Sequence, residues 1–393
     1  MDDIVILSAA RTPIGSFQGV LARVPAHRLG ARALAAAIER AGLAPADVDQ
    51  VNMGCVLTAG QGQAPARQAA LGAGCPVSTG AITLNKVCGS GMRAAMIAAN
   101  DLRCGDYRVV AAGGMESMSQ APFLAPGLRN GLRLGHGKLV DSMIHDGLWD
   151  PYNDVHMGNC AELCVREYGF SREEQDAFAR ESYERARRAT EDGSFAVEIA
   201  PVEVPGRKGV SETVSRDEEP FRVDLEKMPA LRPAFDKEGT VTAANASTIN
   251  DGAAALVLTT AGHARELGRE PLARIVAQSS FAQEPEWFTT APVAAARTVL
   301  ERAGLGASEI ELWEVNEAFA AVAMAFTRDL GLDPERVNVH GGAVALGHPI
   351  GASGARILVT LLHALRQRDL RLGCAAICIG GGEATAVVVE RLT

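Results

Sequence analysis

An internal repeat constrains the fold of this chain more than any other feature. Three short segments from the first third of the chain recur near its end, in the same order and at nearly the same spacing. The pairs are Glu39-Arg-Ala-Gly-Leu with Glu301-Arg-Ala-Gly-Leu, Ser90-Gly with Ser353-Gly, and Gly-Gly-Met-Glu116 with Gly-Gly-Gly-Glu383. One such match arises easily by chance, but three in the same order indicate a duplicated structural unit.

Each copy of the repeat alternates apolar runs with helix-like segments. The runs at 109–112 and 375–378 have the composition of buried strands, and 34–41 and 293–303 have the spacing of amphipathic helices. Alternation of this kind predicts an α/β fold in which helices cover buried sheets.

The segment between the two copies differs from them in composition. It is punctuated by Gly and Pro, and it contains a charged helix-like run at 171–190. We interpret it as an inserted loop domain that lies beside the functional site and binds substrate. The predicted domains are 1–118, to which 250–268 returns, the insert 119–249, and 269–393.

Bulk composition excludes several classes of function. The net charge is −9 and no basic tract is interleaved with aromatic residues, so nucleic acid is not an expected partner. No apolar run reaches the roughly 18 residues of a membrane span. The strand-like start Asp2-Asp-Ile-Val-Ile-Leu leaves no room for a leader, so we expect a cytoplasmic protein. The cysteine spacings do not match those of zinc sites, and no metal is expected.

Cys88 is the first candidate catalytic residue. It lies in Asn85-Lys-Val-Cys-Gly-Ser-Gly-Met, immediately before an alanine-rich helix-like run. The dipole of a helix favours a thiolate at its N-terminus, and the glycines let backbone N–H groups approach a thioester oxygen. A buried structural cysteine is the alternative, but the glycine-rich helix start favours a nucleophile.

Two further candidates lie in glycine-rich turns of the second copy. His348, in Gly347-His-Pro-Ile-Gly, is oriented by Pro349 and is suited to activate a cysteine or to donate to an oxyanion. Capping of the following helix is its ordinary explanation. Cys378 opens Cys-Ile-Gly-Gly-Gly-Glu, and a second reactive sulfur suits a reaction with two acyl partners. Its ordinary explanation is a core cysteine on a strand.

Asn316 lies between Leu312-Trp-Glu-Val and Glu317-Ala-Phe. It can act as a helix N-cap, which requires no further function. Its amide can instead position a water for oxyanion stabilisation. From the residues alone we favour the cap.

Together these motifs resemble the signature blocks of the thiolases. The blocks are Asn85-Lys-Val-Cys-Gly-Ser-Gly, Val315-Asn-Glu-Ala-Phe, Gly347-His-Pro-Ile-Gly-Ala-Ser-Gly and Cys378-Ile-Gly-Gly-Gly. The similarity extends over essentially the whole chain. It implies a duplicated thiolase fold with two βαβαβαββ halves, five-layered α-β-α-β-α, and an inserted loop domain.

The resemblance also implies a role for each matching residue. Cys88 would accept an acyl group, His348 would activate it, and Cys378 would remove and return the α-proton of a second acetyl-CoA. His348 and a water held by Asn316 would form one oxyanion hole, and the N–H groups of Cys88 and Gly380 the other. The reaction would be a reversible ping-pong Claisen condensation of coenzyme A thioesters, with no metal or redox cofactor.

Within that family the chain is most similar to the short-chain branch, which joins two acetyl-CoA molecules to acetoacetyl-CoA and CoA. The implied acyl and coenzyme A contacts are Leu148, His156, Met157, Arg222, Phe235, Ala243, Ser247, Phe288, Ala318 and Phe319. Ordinary explanations exist for some of them, since His156 can cap a helix and the phenylalanines can be core residues. Arg207 and Lys208 could supply local positive charge.

One departure from the family pattern leaves the acyl-chain length open. Phe288-Thr-Thr-Ala-Pro stands where short-chain thiolases usually have Met-Gly-x-Gly-Pro. A thiolase of broader chain length, a decarboxylating synthase of the same fold and an inactive acyl-CoA-binding protein are the alternatives, and Cys378 argues against the synthase. By analogy with the family we expect a homotetramer, with contacts through 124–143.

Overall fold

The computed structural model describes residues 2–206 and 210–393. Its strands are β1 (Ile4–Arg11), β2 (Gly15–Ser16), β3 (Gln50–Gly54), β4 (Gly80–Leu84), β5 (Val109–Ser117), β6 (Phe123–Leu124), β7 (Val140–Asp141), β8 (Trp149–Asp150), β9 (Val155–His156), β10 (Val202–Pro205), β11 (Ser211–Val214), β12 (Asn250–Thr260), β13 (Ala273–Ala282), β14 (Leu312–Val315), β15 (Leu372–Ile379) and β16 (Glu383–Arg391). Its helices are α1 (Ala26–Arg40), α2 (Pro65–Gly72), α3 (Ser90–Cys104), α4 (Met157–Tyr168), α5 (Arg172–Glu191), α6 (Ala261–Glu266), α7 (Ala291–Ala303), α8 (Ala320–Leu330), α9 (Ala343–Leu346) and α10 (Ile350–Gln367). Within the described residues, none of these helices is both long and apolar enough to cross a bilayer.

The long strands form one mixed sheet with two parts. The order β4-β3-β5-β12-β1 makes the N-terminal part, β13-β16-β15-β14 makes the C-terminal part, and a short pairing of β1 with β13 joins them. The parallel strands β3, β4 and β5 are connected through α2 and α3, because parallel neighbours need a crossover connection. β12 pairs with both β1 and β5, so the chain returns to the N-terminal part after the insert. The exact domain boundaries stay a prediction.

Helices cover both parts of the sheet and also separate them. α1 and α2 pack against the N-terminal part in one apolar cluster, and α7 and α8 pack against the C-terminal part in another. Between the two parts lies a third cluster, in which α3 and α10 contact strands of both. This succession of helices and sheets confirms the predicted α/β fold with its five-layered α-β-α-β-α order.

The two halves differ at one strand. Where the N-terminal half has β4, the C-terminal half has only a bridge between Trp313 and Val337. The next residue, Asn338, has a φ of +48°, which takes the chain out of extended backbone. Its side-chain amide replaces the ladder, because Oδ1 accepts from Val315 N at 2.7 Å and Nδ2 donates to Val315 O at 2.9 Å. These bonds fix the end of β14, which Asn316 follows.

A buried ion cluster fastens the inserted segment to β1. Arg11 is fully buried and donates to the carboxylate of Asp217 at 2.7 and 2.8 Å, and also to Glu198. Ions of opposite charge can be buried together when their hydrogen bonds are also satisfied. The backbone of Arg11 pairs with those of Glu198 and Ala200, so the cluster and the chain connection reinforce each other.

Two glycines of the repeat hold α3 and α10 in backbone contact. A Cβ on Gly91 would lie 2.8 Å from the backbone nitrogen of Ala355, and a Cβ on Gly354 would lie 2.5 Å from that of Met92. Contacts this short leave no room for a side chain, so only glycine permits this approach. The two contacts are reciprocal, as expected of duplicated units. They bring the N-termini of α3 and α10 together.

Alanine at either glycine is expected to destabilise the protein. Gly91→Ala and Gly354→Ala overpack the α3–α10 contact, which should lower the free energy of unfolding by about 1–3 kcal/mol or more in urea titrations. The matched control is Gly306→Ala, at a φ of −89°, where the added methyl meets nothing closer than 3.6 Å. The control should stay within about 0.5 kcal/mol. Equal losses at all three positions would contradict this account.

Candidate active site

One cavity brings most of the predicted site residues together. Its volume of about 460 Å³ is in the range of small-molecule sites. The predicted residues in its lining are Cys88, Leu148, His156, Met157, Arg222, Phe235, Ala243, Ser247, Phe288, Ala318, Phe319, His348 and Gly380. Asn316 and Cys378 are outside the lining, and both are buried. In the part of the chain that the structure describes, no cluster of His, Cys, Asp or Glu side chains is placed to hold a metal ion.

Cys88 lies in a tight turn between β4 and α3. Val87 has a φ of +44°, which is strained for a β-branched residue. Side chains hold the turn: Asn85 Oδ1 accepts from Val87 N at 2.9 Å, and Ser90 Oγ accepts from Lys86 N at 2.8 Å while donating to Val87 O at 2.7 Å. Strain of this kind persists where the surroundings enforce it, and it is concentrated at functional sites.

The Cys88 thiol borders the cavity and has protein on its other sides. Burial raises the pKa of this thiol to about 11, while the N–H groups of Gly380 and of Cys88 itself oppose the rise. Burial therefore outweighs the helix terminus, and the expectation of a favoured thiolate is wrong. The two N–H groups converge near the sulfur, which is the arrangement that an oxyanion hole needs.

His348 lies immediately before α10 and is buried. Its Nδ1 lies 2.6 Å from Ser353 Oγ, and its Nε2 lies 3.5 Å from Asn316 Nδ2. Burial, followed by the charge of Arg356, lowers the pKa of His348 to about 3. The imidazole is therefore neutral at physiological pH, and a ring nitrogen is free to accept a proton.

Asn316 is not a helix cap, contrary to the interpretation from the residues alone. α8 begins at Ala320, and Phe319 holds its N-cap position. Asn316 is fully buried, and its Oδ1 has no hydrogen-bond partner among the described residues. The amide beside His348 is thus available for the other interpretation, in which it positions a water.

Cys378 lies near the end of β15 and is buried. The pKa of its thiol is raised well above the usual range, first by burial and then by the proximity of Cys88. The N–H groups of Ala318 and of Cys378 itself oppose this rise. Cys88 is therefore close enough to raise the pKa of the Cys378 thiol, which it would not do for a core cysteine at an unrelated position.

Four rings form one wall of the cavity. His156 stacks on Phe235 at 4.8 Å between ring centroids, and Phe319 meets the edges of Phe235 at 6.0 Å and of Phe288 at 6.3 Å. His156 is also the N-cap of α4, because its Nδ1 accepts from Gly158 N at 3.1 Å. The ordinary explanations of these residues are thus correct, and they do not exclude contact with a ligand in the cavity.

The other predicted contacts come from several segments. Ser247 donates to Ala318 O through both its backbone nitrogen, at 3.0 Å, and its hydroxyl, at 2.8 Å. Leu148 precedes β8, Met157 begins α4, and Ala243 lies in the loop before β12. The insert and the C-terminal half therefore both contribute to the lining.

Arg222 lies at the edge of the cavity. Its side chain is 52% exposed, and it pairs with Glu218 at 3.2 Å. It is therefore placed to contact an anionic group outside the apolar part of the cavity. Arg207 and Lys208, the other predicted cations, lie outside the described residues.

Several lining residues were missed from the sequence. They are Ser16, Phe17, Met118, Gly147, Glu219, Ala234, Ala246, Thr248, Ile249 and Ile350. Ser16 and Phe17 directly follow the motif Ala9-Ala-Arg-Thr-Pro-Ile-Gly, and Met118 ends Ala112-Gly-Gly-Met-Glu-Ser-Met. These motifs were the available signal, but they carry no group with evident chemistry.

Glu116 is a further residue without a role assigned from the sequence. It is fully buried, and its carboxylate accepts from Val56 N at 3.0 Å, Leu57 N at 3.2 Å and Gly351 N at 2.9 Å. Burial raises the pKa of Glu116 to about 7, and these N–H groups limit the rise. Because Gly351 lies in the first turn of α10, Glu116 ties the N-terminal half to the helix that follows His348.

Comparison with known proteins identifies the family. The description "Thiolase, N-terminal domain" matches residues 4–262, and "Thiolase, C-terminal domain" matches residues 269–391. An acetyl-CoA acetyltransferase of Pseudomonas aeruginosa is 53% identical over 392 residues. The match covers 100% of this chain and 100% of that protein.

Two solved structures are also similar. The acetyl-CoA acetyltransferase of Bacillus anthracis has a TM-score of 0.97 at 42% identity, over 100% of this chain and 99% of that one. The Acat5 thiolase of Ascaris suum in complex with coenzyme A has a TM-score of 0.94 at 46% identity, over 99% of this chain and 100% of that one.

The lowered pKa of His348 predicts a pH-dependent loss of stability. The folded protein keeps His348 neutral down to about pH 3, whereas the unfolded chain binds a proton below about pH 6.5. As the pH falls from about 6.5 towards 3, protonation of this residue in the unfolded chain should therefore lower the free energy of unfolding by up to about 1.4 kcal/mol per pH unit. Urea titrations of the wild type and His348→Asn at about pH 7 and pH 5 should show a smaller acid loss in the variant.

The control for this measurement is His145, which is exposed and lies outside the segment 124–143. His145→Asn should lose as much stability on acidification as the wild type, because its side chain is exposed. An unchanged acid loss in His348→Asn would contradict the buried neutral imidazole.

Proposed function

Because this chain belongs to the thiolase family, we propose that it is an acetyl-CoA C-acetyltransferase. Two molecules of acetyl-CoA would condense to acetoacetyl-CoA and CoA, and the reverse reaction would be thiolysis of acetoacetyl-CoA. The observation that carries this proposal is a cavity lined by both Cys88 and His348, with the buried Cys378 close enough to Cys88 for that thiol to raise its pKa. The printed names of the relatives support the same activity.

In the first half-reaction, Cys88 attacks the carbonyl carbon of acetyl-CoA. His348 Nε2 accepts the proton of the thiol as the sulfur–carbon bond forms. The N–H groups of Cys88 and Gly380 stabilise the developing oxyanion. The CoA thiolate then leaves and takes the proton from His348, so that acetyl-Cys88 and CoA are formed.

In the second half-reaction, Cys378 acts as the base. Cys378 first gives its thiol proton to Nε2 of His348, and its thiolate then removes an α-proton from a second acetyl-CoA. The enolate oxygen is stabilised by the Nε2–H of His348 and a water held by Asn316. The enolate carbon attacks the carbonyl of acetyl-Cys88. Acetoacetyl-CoA forms, the departing Cys88 thiolate takes the proton from His348, and Cys378 keeps the α-proton as its thiol.

The proximity of the sulfurs supports this second step. A thiol whose pKa is raised by burial and by another sulfur is a strong base once it has lost its proton. Acylation replaces the Cys88 thiol by a thioester, which cannot ionise. Of the two sulfurs, only Cys378 is then able to act as the base.

The aromatic wall supports a short acyl group. Phe288 is 3% exposed and packs edge-on against Phe319, so large side chains fill this part of the cavity. We therefore expect that an acyl chain longer than four carbons needs one of these rings to move. The alternative thiolase of broader chain length requires that Phe288 move.

We expect rapid thiolysis of acetoacetyl-CoA. The enolate absorbance of the substrate should fall with CoA present, and 3-ketohexanoyl- and 3-ketodecanoyl-CoA should react at least tenfold more slowly, since each added methylene that cannot be accommodated costs about 1–3 kcal/mol. Comparable rates for the longer substrates would favour the broad-chain alternative. No turnover of any of the three, with tight CoA binding, would favour the inactive acyl-CoA-binding alternative.

Cysteine variants in the same assay test the assigned nucleophile. Cys88→Ala should lose thiolysis by about 10³-fold or more, because the covalent intermediate cannot form. The matched control is Cys104→Ala, which removes an exposed thiol at the end of α3. Equal activity of the two variants would contradict the mechanism.

We also propose a homotetramer, as expected from the family resemblance. The segment 124–143 exposes large apolar side chains in the single chain. They are Leu128 at 55%, Leu132 at 54%, Leu134 at 100% and Leu139 at 73%. β4 is an edge strand of the sheet, and an uncovered edge of this kind favours association. Two separate surfaces are thus available, as a dimer of dimers requires.

Light scattering after size-exclusion chromatography tests the tetramer. The wild type should have four times the chain mass of 41.2 kDa, and the double variant Leu134→Asp, Leu139→Asp should give a smaller species because charge at the contact disfavours burial. The control is Val197→Asp, which changes a side chain that is 53% exposed on another surface. A double variant with unchanged mass would exclude this segment as a contact.

A further inference from the structure

A buried serine that is not among the cavity-lining residues contacts Nδ1 of His348. Ser353 Oγ lies 2.6 Å from His348 Nδ1 and 3.0 Å from Pro349 O. Ser353 is 1% exposed and His348 is 6% exposed, so water does not compete for either contact. The hydroxyl therefore has only these two protein groups as hydrogen-bond partners.

The carbonyl of Pro349 provides an acceptor for the hydroxyl proton of Ser353. A carbonyl oxygen only accepts hydrogen bonds, so a hydroxyl that donates its single proton to Pro349 O can only accept from Nδ1 of His348. In that arrangement the ring proton is on Nδ1. This leaves Nε2 with a lone pair. The amide nitrogen of Asn316, a donor, lies 3.5 Å from Nε2 and is consistent with that assignment.

We propose that Ser353 is a positioning residue of the acylation step, whose hydroxyl accepts the Nδ1 proton of His348 and so keeps the Nε2 lone pair available for the Cys88 proton. This inference rests on the proposed function and adds a residue to it. During acylation the Cys88 proton moves to Nε2, Nδ1 keeps its own proton and its bond to Ser353, and the leaving CoA thiolate later takes the proton from Nε2. The serine itself neither gains nor loses a proton.

The duplicated serine of the first half shows that this contact is specific to the second half. Ser90 Oγ donates to Val87 O at 2.7 Å and accepts from Lys86 N at 2.8 Å. Each serine thus donates to a backbone carbonyl of the preceding turn. The group that contacts the lone pairs of the hydroxyl oxygen differs: it is the backbone amide of Lys86 at Ser90 and the imidazole of His348 at Ser353.

A hydroxyl orients the imidazole without adding charge. A carboxylate at Nδ1 would stabilise the imidazolium, whereas a serine oxygen fixes the tautomer and leaves the ring a weak base. The titratable and charged groups around the site include Cys88, Cys378, Glu116, Arg356 and Glu314, which pairs with Arg356 at 2.8 Å. His156, Glu219 and Arg222 also line the cavity. Arg356 disfavours the imidazolium, so the ring holds an added proton only during the reaction steps.

Alkylation of Cys88 by iodoacetamide tests the proposal without requiring thiolase activity. The rate is followed by mass spectrometry of the Cys88 peptide between about pH 8 and pH 10, a range above the pKa of Glu116, which is about 7. Ser353→Ala should slow alkylation by about 10- to 100-fold at about pH 8, the size of a general-base contribution. The deficit should shrink towards pH 10, where hydroxide replaces the base. In thiolysis, the variant should lose kcat with little change in KM.

Thr298→Ala is the matched control, because Thr298 Oγ1 donates to Ala294 O at 2.9 Å, the same fourth-residue bond on α7. It should lose a similar amount of thermal stability and keep the wild-type alkylation rate. The proposal is overturned if Ser353→Ala reacts as fast as the control, or if its deficit is the same at every pH, as a general disturbance of the site would give. A chain that fails to turn over any thioester but shows the expected alkylation profile would refute the proposed function and keep this inference.

Neutron diffraction from wild-type crystals provides a measurement that needs no variant. Deuterium on Nδ1 of His348 and a lone pair on Nε2 are the expected result. Deuterium on Nε2 with a bare Nδ1 would overturn the proposal, even if Ser353→Ala does not fold.

Discussion

The backbone contact between α3 and α10 is the constraint on which the site depends. Each helix begins within two residues of a proposed catalytic side chain, Cys88 before α3 and His348 before α10. Gly91 and Gly354 allow the two helices to touch without intervening side chains, so both turns open on one cavity. Two positions that carry no functional group therefore determine whether a thiol and an imidazole meet, and this explains why the repeat preserves Ser-Gly in both halves while the residues before it differ.

Burial decides the protonation states in this site. It raises the pKa of the Cys88 thiol to about 11 and, together with Arg356, lowers that of His348 to about 3. Before their mutual attraction is counted, a thiolate–imidazolium pair would therefore lie on the order of 10 kcal/mol above the neutral pair. Such a pair cannot accumulate in the free protein, so proton transfer has to accompany attack on a thioester. The donors near the sulfur, the N–H groups of Cys88 and Gly380, act only when an oxyanion forms, which is also when the proton has to move.

The sequence allowed the architecture to be predicted better than the individual contacts. The repeat and the alternation of strands and helices indicated the layered α/β fold, and the glycine-rich turns pointed to Cys88 and His348, because both signals are local. Asn316 was misinterpreted as a cap because a polar residue between a strand and a helix is typical of one, and only the structure shows that α8 starts four residues later. The C-terminal half has no counterpart of β4 beside β14. The side chain of Asn338 takes its place by bonding to Val315, 23 residues away in the sequence. Contacts of that range leave no periodic pattern in a single sequence.

The duplication supplies two similar frameworks, and the chemistry arises from the differences between them. Glu116 and Glu383 occupy matching positions in the repeat. Glu116 is buried and accepts a hydrogen bond from the backbone N–H of Gly351, whereas Glu383 pairs with Lys86 and is partly exposed. The serines at 90 and 353 diverge in the same way, one bonded to a backbone amide and the other to an imidazole. In each pair one copy supports the turn of His348: Glu116 accepts from the first turn of α10, and Ser353 contacts the imidazole from that helix. A symmetric molecule would place two equivalent turns in this cavity, but acylation and proton abstraction need different groups, so the repeat had to lose its symmetry at the residues that contact substrate and at those that orient them.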